Sequence, residues 1–139
     1  MAKISKEKLK LPPQNLEAEQ SVLGSLLIDK VALVNVADLV TPQDFYKPAH
    51  EKIYAAIMDL YQKSQPIDLL SLTTLLRERG TLTDVGGSAY LAELVNGVAT
   101  AAHASHYANI VREKKVLRDL ISTSSAIAEH AFDFSGETA

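Results

Sequence analysis

The chain has 139 residues, a formal charge of −3, and no cysteine or tryptophan. That length suits one domain, or a small domain with an appendage, and it is enough to bury a real core. Without cysteine there is no disulfide framework and no thiolate metal site. The longest unbroken apolar run, Ile53 to Met58, is six residues, where a bilayer span needs about 20. The acidic balance argues against a surface that attracts nucleic acid as a whole. The first ten residues, MAKISKEKLK, are basic. No apolar stretch of the kind found in secretory signals follows them, so the expected compartment is the cytoplasm. The 19 Leu and 18 Ala outnumber 10 Val and 8 Ile. With no sustained polar–apolar alternation, the expected fold class is all-α.

In chain order, residues 1–11 carry four Lys and one Glu and are expected to be a flexible tail. Pro12-Pro13 holds the chain extended. Asn15 is a good N-cap, with Glu17 and Glu19 in the first turn, where the helix dipole favours them. The first helix is expected over about 16–28, with Leu16, Leu23, Leu26 and Leu27 on one face. Gly24 lies mid-helix at a cost of about 1 kcal/mol, which close approach of another helix would offset. A short helix follows over 31–40. Thr41-Pro42 opens a single turn through Phe45. Lys47-Pro48 opens the next helix, with an apolar face of Ile53, Ile57, Leu60 and Tyr61, fading near Ser64. Asp68 caps a helix that ends at the Gly80 stop. Ser88 or the preceding glycines open a helix ended by Asn96-Gly97. A long helix runs from Thr100 to about Ala131.

The expected organisation is therefore a helical head over 12–99, a long helix over 100–132 and a frayed end over 133–139. The long helix, at roughly 43 Å, exceeds the width of such a head and must protrude. It carries apolar positions at Tyr107, Ile110, Leu117, Ile121, Ala128 and Ala131. A second stripe holds Val116, Leu120 and Ile127. Two stripes on a protruding helix need partners on more than one side, and those partners are not expected within this chain.

Candidate chemistry is sparse. His103 and His106 are three apart, and His50 and His130 are the other histidines. Two histidines without an HExxH-type pattern do not close a zinc site. The acidic residues are expected at helix starts or on outward faces, and nothing marks an activated nucleophile. Gly86-Gly87 lacks the GK[ST] of a phosphate-binding loop. Arg112, Lys114, Lys115 and Arg118 form a basic cluster. It reads first as a solvated helix face, and second as a phosphate track in a free-standing DNA-binding module. Protein binding through the uncovered arm has the best support, with Tyr90 near the junction of head and arm as a candidate anchor.

The residues also form blocks with a familiar order. Pro12-Pro13-Gln14-Asn15-Leu16-Glu17-Ala18-Glu19-Gln20-Ser21-Val22-Leu23-Gly24 resembles the start of the bacterial replicative DNA helicases of the DnaB family. Asp44-Phe45-Tyr46 with Pro48-Ala49-His50, Ile53 and Tyr54 is similar to the family's next motif. Pro66-Ile67-Asp68-Leu69 and Val85-Gly86-Gly87-Ser88-Ala89-Tyr90-Leu91-Ala92-Glu93-Leu94 follow in order. The last block is Tyr107-Ala108-Asn109-Ile110-Val111-Arg112-Glu113-Lys114, with Leu117-Arg118-Asp119-Leu120-Ile121 after it.

The resemblance implies an amino-terminal domain made of a helical head and the first helix of a helical hairpin. Tyr107, Ile110, Leu117 and Leu120 are then expected in hairpin packing. It implies neighbouring subunits of the same protein as partners, in a hexameric ring built as a trimer of dimers. It also implies primase, docked through Tyr90, Ile121 and Ile127, and a helicase loader with no assigned site. The ATP and Mg site, and the main contacts to DNA, belong by resemblance to a carboxy-terminal domain outside this sequence. No catalytic residue, cofactor or metal is expected in this fragment.

Overall fold

The computed structural model describes residues 11–138. All of the expected tail except Leu11 therefore lies outside the described residues. Among them are six α-helices, one 3-10 turn and no strand, which is the all-α class the composition implies.

Helix α1, Leu16–Ile28, runs through the middle of the head. Asn15 caps it, its Oδ1 accepting from the Ala18 amide at 3.0 Å. From Ala18 to Leu27 almost every position is buried apart from Gln20 and Ser21. A helix apolar nearly all round belongs inside a bundle. Leu16 is an exception to the expected face, being substantially exposed at the helix start. Gly24 is where α5, Gly87–Asn96, comes closest. A Cβ there would stand 2.2 Å from the Leu94 carbonyl oxygen.

Helix α2, Val31–Val36, is shorter than the expected 31–40. The chain turns after Val36, with the Leu39 amide donating to the Val36 carbonyl at 2.8 Å. Thr41, which precedes a proline, must be extended and has φ −114° and ψ 166°. The 3-10 turn Pro42–Asp44 follows, and the Asp44 Oδ2 accepts from the Thr41 amide at 2.7 Å.

Helix α3, Pro48–Gln62, buries His50, Ile53, Tyr54, Ala56, Ile57 and Leu60. Tyr61, expected on that face, is exposed instead. It follows buried Leu60 and lies about 100° around the helix from it, on the outer side. Tyr54 is the interior aromatic. Its hydroxyl donates to the Val40 carbonyl at 3.0 Å, and its ring centroid lies 5.0 Å from that of Phe45. Burial, and secondarily the nearby Asp44 carboxylate, push the Tyr54 phenol up to about 12.

That shift fixes a sign. A group whose folded pKa is raised stabilises the fold fully below its unfolded pKa and loses that contribution as pH rises through the folded value. Stability should therefore fall from about pH 10, the ordinary tyrosine value, towards pH 12. Tyr54→Phe should flatten that alkaline limb of a chemical-denaturation series. An unchanged slope would contradict the assignment.

Helix α4, Leu69–Glu78, is capped by Asp68, whose Oδ1 accepts from the Ser71 amide at 2.7 Å. Gly80 stops it with φ +71°. The chain enters α5 through Gly86 at φ +105° and Gly87 at φ +73°, a left-handed pair that side chains resist.

Helix α6, Ala104–Thr138, starts later than the expected 100 and continues past the expected end near 131. No proline interrupts residues 132–138. Its first turns do find partners in the head, a correction to the expectation that they lie outside this chain. Ala104, Ala108 and Val111 are buried, and Tyr107 and Ile110 pack half-buried against the same core. The small alanines let α6 approach α1 and α2. From Asp119 to Ser135 every residue is exposed, so the remainder protrudes as an arm. No described helix is long and apolar enough to cross a membrane.

Candidate protein-binding surface

The exposed part of α6 is one surface that lacks cover. Val116, Leu117, Leu120, Ile121 and Ile127 are all exposed, Ile121 at 54% and Ile127 at 65%. Phe132 extends the stripe and is exposed at 78%. It falls just where the sequence predicts the helix to end and fray, so no local signal marks it as part of the stripe. A contiguous apolar surface of this kind marks an interaction site. Of the residues expected in hairpin packing, Leu117 and Leu120 lie on this free part. Tyr107 and Ile110 lie against the head.

The arm leaves the head at a clamp. Arg118 donates from Nη1 to the Pro13 carbonyl and from Nη2 to the Asp44 carbonyl, both at 2.8 Å. Its guanidinium carbon lies 5.4 Å from the Tyr46 ring centroid. The planar fork of arginine suits such paired acceptors and a stacked ring. Arg118 thus fixes the arm to the segment before α1 and to the turn before α3. Lys115 is paired with Asp119 at 2.9 Å. Two members of the basic cluster are therefore engaged within the chain, leaving Arg112 and Lys114.

The second surface surrounds Tyr90 on α5. A cleft of about 360 Å³ between α1 and α5 is lined by Glu17, Gln20, Ser21, Tyr90, Leu94 and Val98, among others. Tyr90 is half-buried at this cleft. Its oxygen lies 2.6 Å from His50 Nε2 and accepts from the Gln20 amide at 3.3 Å. The Lys47 ammonium stands 4.6 Å from its ring centroid.

Behind Tyr90 lies a buried polar group. Glu19 stands in the first turn of α1, as expected, but it is buried there: His50 is 0% exposed and Glu19 is 1% exposed. Glu19 Oε1 meets His50 Nδ1 at 2.7 Å, and the same carboxylate accepts from the Tyr46 and Lys47 amides at 2.8 and 3.3 Å. Burying a carboxylate is costly unless every oxygen has donors, and here both oxygens do. Neither Glu19 nor His50 was singled out for this role, although the register held a clue. Glu19 shares the i, i+4, i+7 face of Leu23 and Leu26, and His50 shares the i, i+3, i+7 face of Ile53 and Ile57.

The structure does not bring Tyr90, Ile121 and Ile127 into direct contact. It links them in series. Ile121 is one turn beyond Arg118, which lies on Tyr46. Tyr46 adjoins Lys47, which covers Tyr90. Ile127 lies about 9 Å further along the arm than Ile121 at the usual helical rise. His103, His106 and His130 are exposed. No group of three or more acidic or histidine side chains among the described residues is placed to hold a metal ion.

Comparison with known proteins meets this geometry. Residues 11–113 match the model of the DnaB-like helicase N terminal domain. The chain is 43% identical over 123 residues to the replicative DNA helicase DnaB of Geobacillus stearothermophilus, covering 88% of this chain and 27% of that protein. It is 43% identical over 121 residues to replicative DNA helicase DnaB of Mycobacterium leprae, covering 87% of this chain and 20% of that protein. The chain thus spans about a quarter or less of the length of these relatives. Among solved structures, the N-terminal domain of DnaB helicase from Mycobacterium tuberculosis superposes with a TM-score of 0.85 at 43% identity, covering 88% of both chains. A DnaB-like replicative helicase, described together with its interactions with primase, superposes with a TM-score of 0.74 at 33% identity, covering 84% of this chain and 27% of the other. With three-quarters of its length inside the family model and the same helical architecture in its structural neighbours, the chain belongs to the DnaB-like helicase N-terminal domain family.

Proposed function

We propose that this chain is the amino-terminal interaction domain of a hexameric replicative DNA helicase. Its arm packs against neighbouring subunits to assemble the ring, and the surface formed by Tyr90, Ile121 and Ile127 recruits primase. Unwinding, ATP hydrolysis and the principal DNA contacts then belong to the rest of the helicase, and a loader is a further expected partner. The observation that carries this reading is the apolar stripe of α6, left uncovered beyond the Arg118 clamp. Its similarity to a helicase described with primase supports the choice of partner.

Ile121→Asp is the direct test. Ile121 is 54% exposed, so the head should lose no more than about 0.5 kcal/mol of stability. Self-association measured by sedimentation, or affinity for the helicase-binding domain of a primase measured by calorimetry, should fall about tenfold or more, as for an interface anchor. Unfolding of the whole chain would place Ile121 in the core. Unchanged association with both partners would remove the arm from the interface.

A further inference from the structure

We infer that Glu19 and His50 are positioning residues for Tyr90: the buried carboxylate sets the imidazole tautomer, and the imidazole holds the phenol with its proton directed inward. This rests on the reading above that Tyr90 meets the partner.

Donors and acceptors set the arrangement. Glu19 receives two backbone amides from one segment, at Tyr46 and Lys47, and faces His50 Nδ1. An ionised carboxylate can only accept, so Nδ1 carries the ring proton. A ring carrying that one proton offers Nε2 solely as an acceptor. The Tyr90 oxygen is 2.6 Å from that nitrogen, so the phenol donates to it. The Gln20 amide donates to the same oxygen from the cleft side. The Tyr90 ring lies parallel to the imidazole, with 10° between planes and 6.0 Å between centroids, and the Lys47 ammonium covers it. No buried side-chain polar atom among the described residues lacks a partner, so the group is closed. Swinging Tyr90 outward would leave Nε2 unmatched.

A consequence for recognition follows. Tyr90 has spent its only proton on His50. The partner is met by an oriented aromatic ring, a phenol oxygen already bonded to Gln20, and the carboxylates of Glu17 and Glu93 along the cleft. The matching partner surface is apolar or carries a donor or cation, and it does not rely on accepting a phenolic proton.

The test uses the full 139-residue chain with ¹⁵N-labelled histidine. In the wild type the His50 resonances should show protonated Nδ1 and hydrogen-bonded, unprotonated Nε2. In Tyr90→Phe the Nε2 resonance should move towards that of a free acceptor while Nδ1 keeps its proton. In Glu19→Gln the new NH2 faces a backbone donor whichever way it turns, the Lys47 or the Tyr46 N–H, so the Nδ1 resonance should move from its wild-type position. Affinity for the helicase-binding domain of a primase should fall about tenfold in Glu19→Gln, and by much less when the same change is made in a Tyr90→Ala background. Protonation of wild-type Nε2, an unmoved Nε2 resonance in Tyr90→Phe, or an equal loss in both backgrounds would overturn the inference. If Glu19→Gln does not fold, the wild-type and Tyr90→Phe spectra decide. If the wild type does not bind the primase domain, the proposed function fails, and those same spectra still decide whether Tyr90 is held as inferred.

Discussion

Gly24→Ala is expected to be among the most damaging single-methyl additions available in this chain, costing about 3 kcal/mol. The new Cβ would stand 2.2 Å from the Leu94 carbonyl oxygen, 3.1 Å from its carbon and 3.0 Å from Val98 Cγ2. The first two are backbone atoms of α5, so no rotamer change relieves the clash. Helices α1 and α5 must separate, and the core residues Leu91 and Leu94 move with α5. A helix-propensity argument alone gives the opposite sign, because alanine in a helix interior gains about 1 kcal/mol over glycine. The sign therefore separates packing from propensity. Gly80→Ala is the comparison: its Cβ meets nothing within 4 Å, and at φ +71° the cost is conformational, about 1 to 2 kcal/mol. Urea denaturation of both variants measures the difference. Equal losses would mean that the α1–α5 contact is looser than described.

Glu19→Ala is expected to cost about 3 kcal/mol or more, because each buried donor left without a partner costs about 1 to 3 kcal/mol. Deleting the carboxylate strands the Tyr46 and Lys47 amides and the His50 ring N–H at once. Small domains are stable by only about 5 to 15 kcal/mol, so this single change can leave a substantial unfolded population. Glu17, two residues earlier on the same turn, is exposed, and Glu17→Ala should stay within about 0.5 kcal/mol of wild type. Thermal melts of the pair provide the check. Similar melting temperatures for both variants would show that the Glu19 network contributes little to the fold.

The pair also shows where sequence reading succeeds and where it stops. Asn15, Asp68 and Gly80 were legible because each acts on backbone within a few residues, and local chemistry decides their roles. The same local rule places Glu19 in the first turn of α1, where it stands, but says nothing of its burial there. The helix entering the core from Leu23 and Leu26 carries Glu19 inward on the same face, and His50 arrives on α3 to meet it. Each helix alone hints that its polar residue turns inward, but neither shows that the two meet. Arg118 reads as one of four basic residues in sequence. Only the fold places the Pro13 and Asp44 carbonyls within reach of its fork. The arm was legible as too long for the head, yet its first turns were assigned to an outside partner. The depth of the groove over α1 and α2, which takes Ala104, Ala108 and Val111, depends on how the head packs. Tyr90, Ile121 and Ile127 are marked by the junction and the stripes of the long helix, and only the resemblance supplies a partner for them. The structure gives Tyr90 a fixed setting and leaves the two isoleucines open to solvent.

The central claim is that a partner docks on the Tyr90 cleft and the free arm. It is tested most directly by titrating the isotopically labelled chain with the helicase-binding domain of a primase and following backbone and methyl resonances. The account expects saturable shifts at Tyr90, Ile121 and Ile127 and their neighbours, with little change across the far side of the head. Saturable shifts centred instead on the other exposed apolar patch, Val31, Val34 and Tyr61, or no shifts at all, would contradict it.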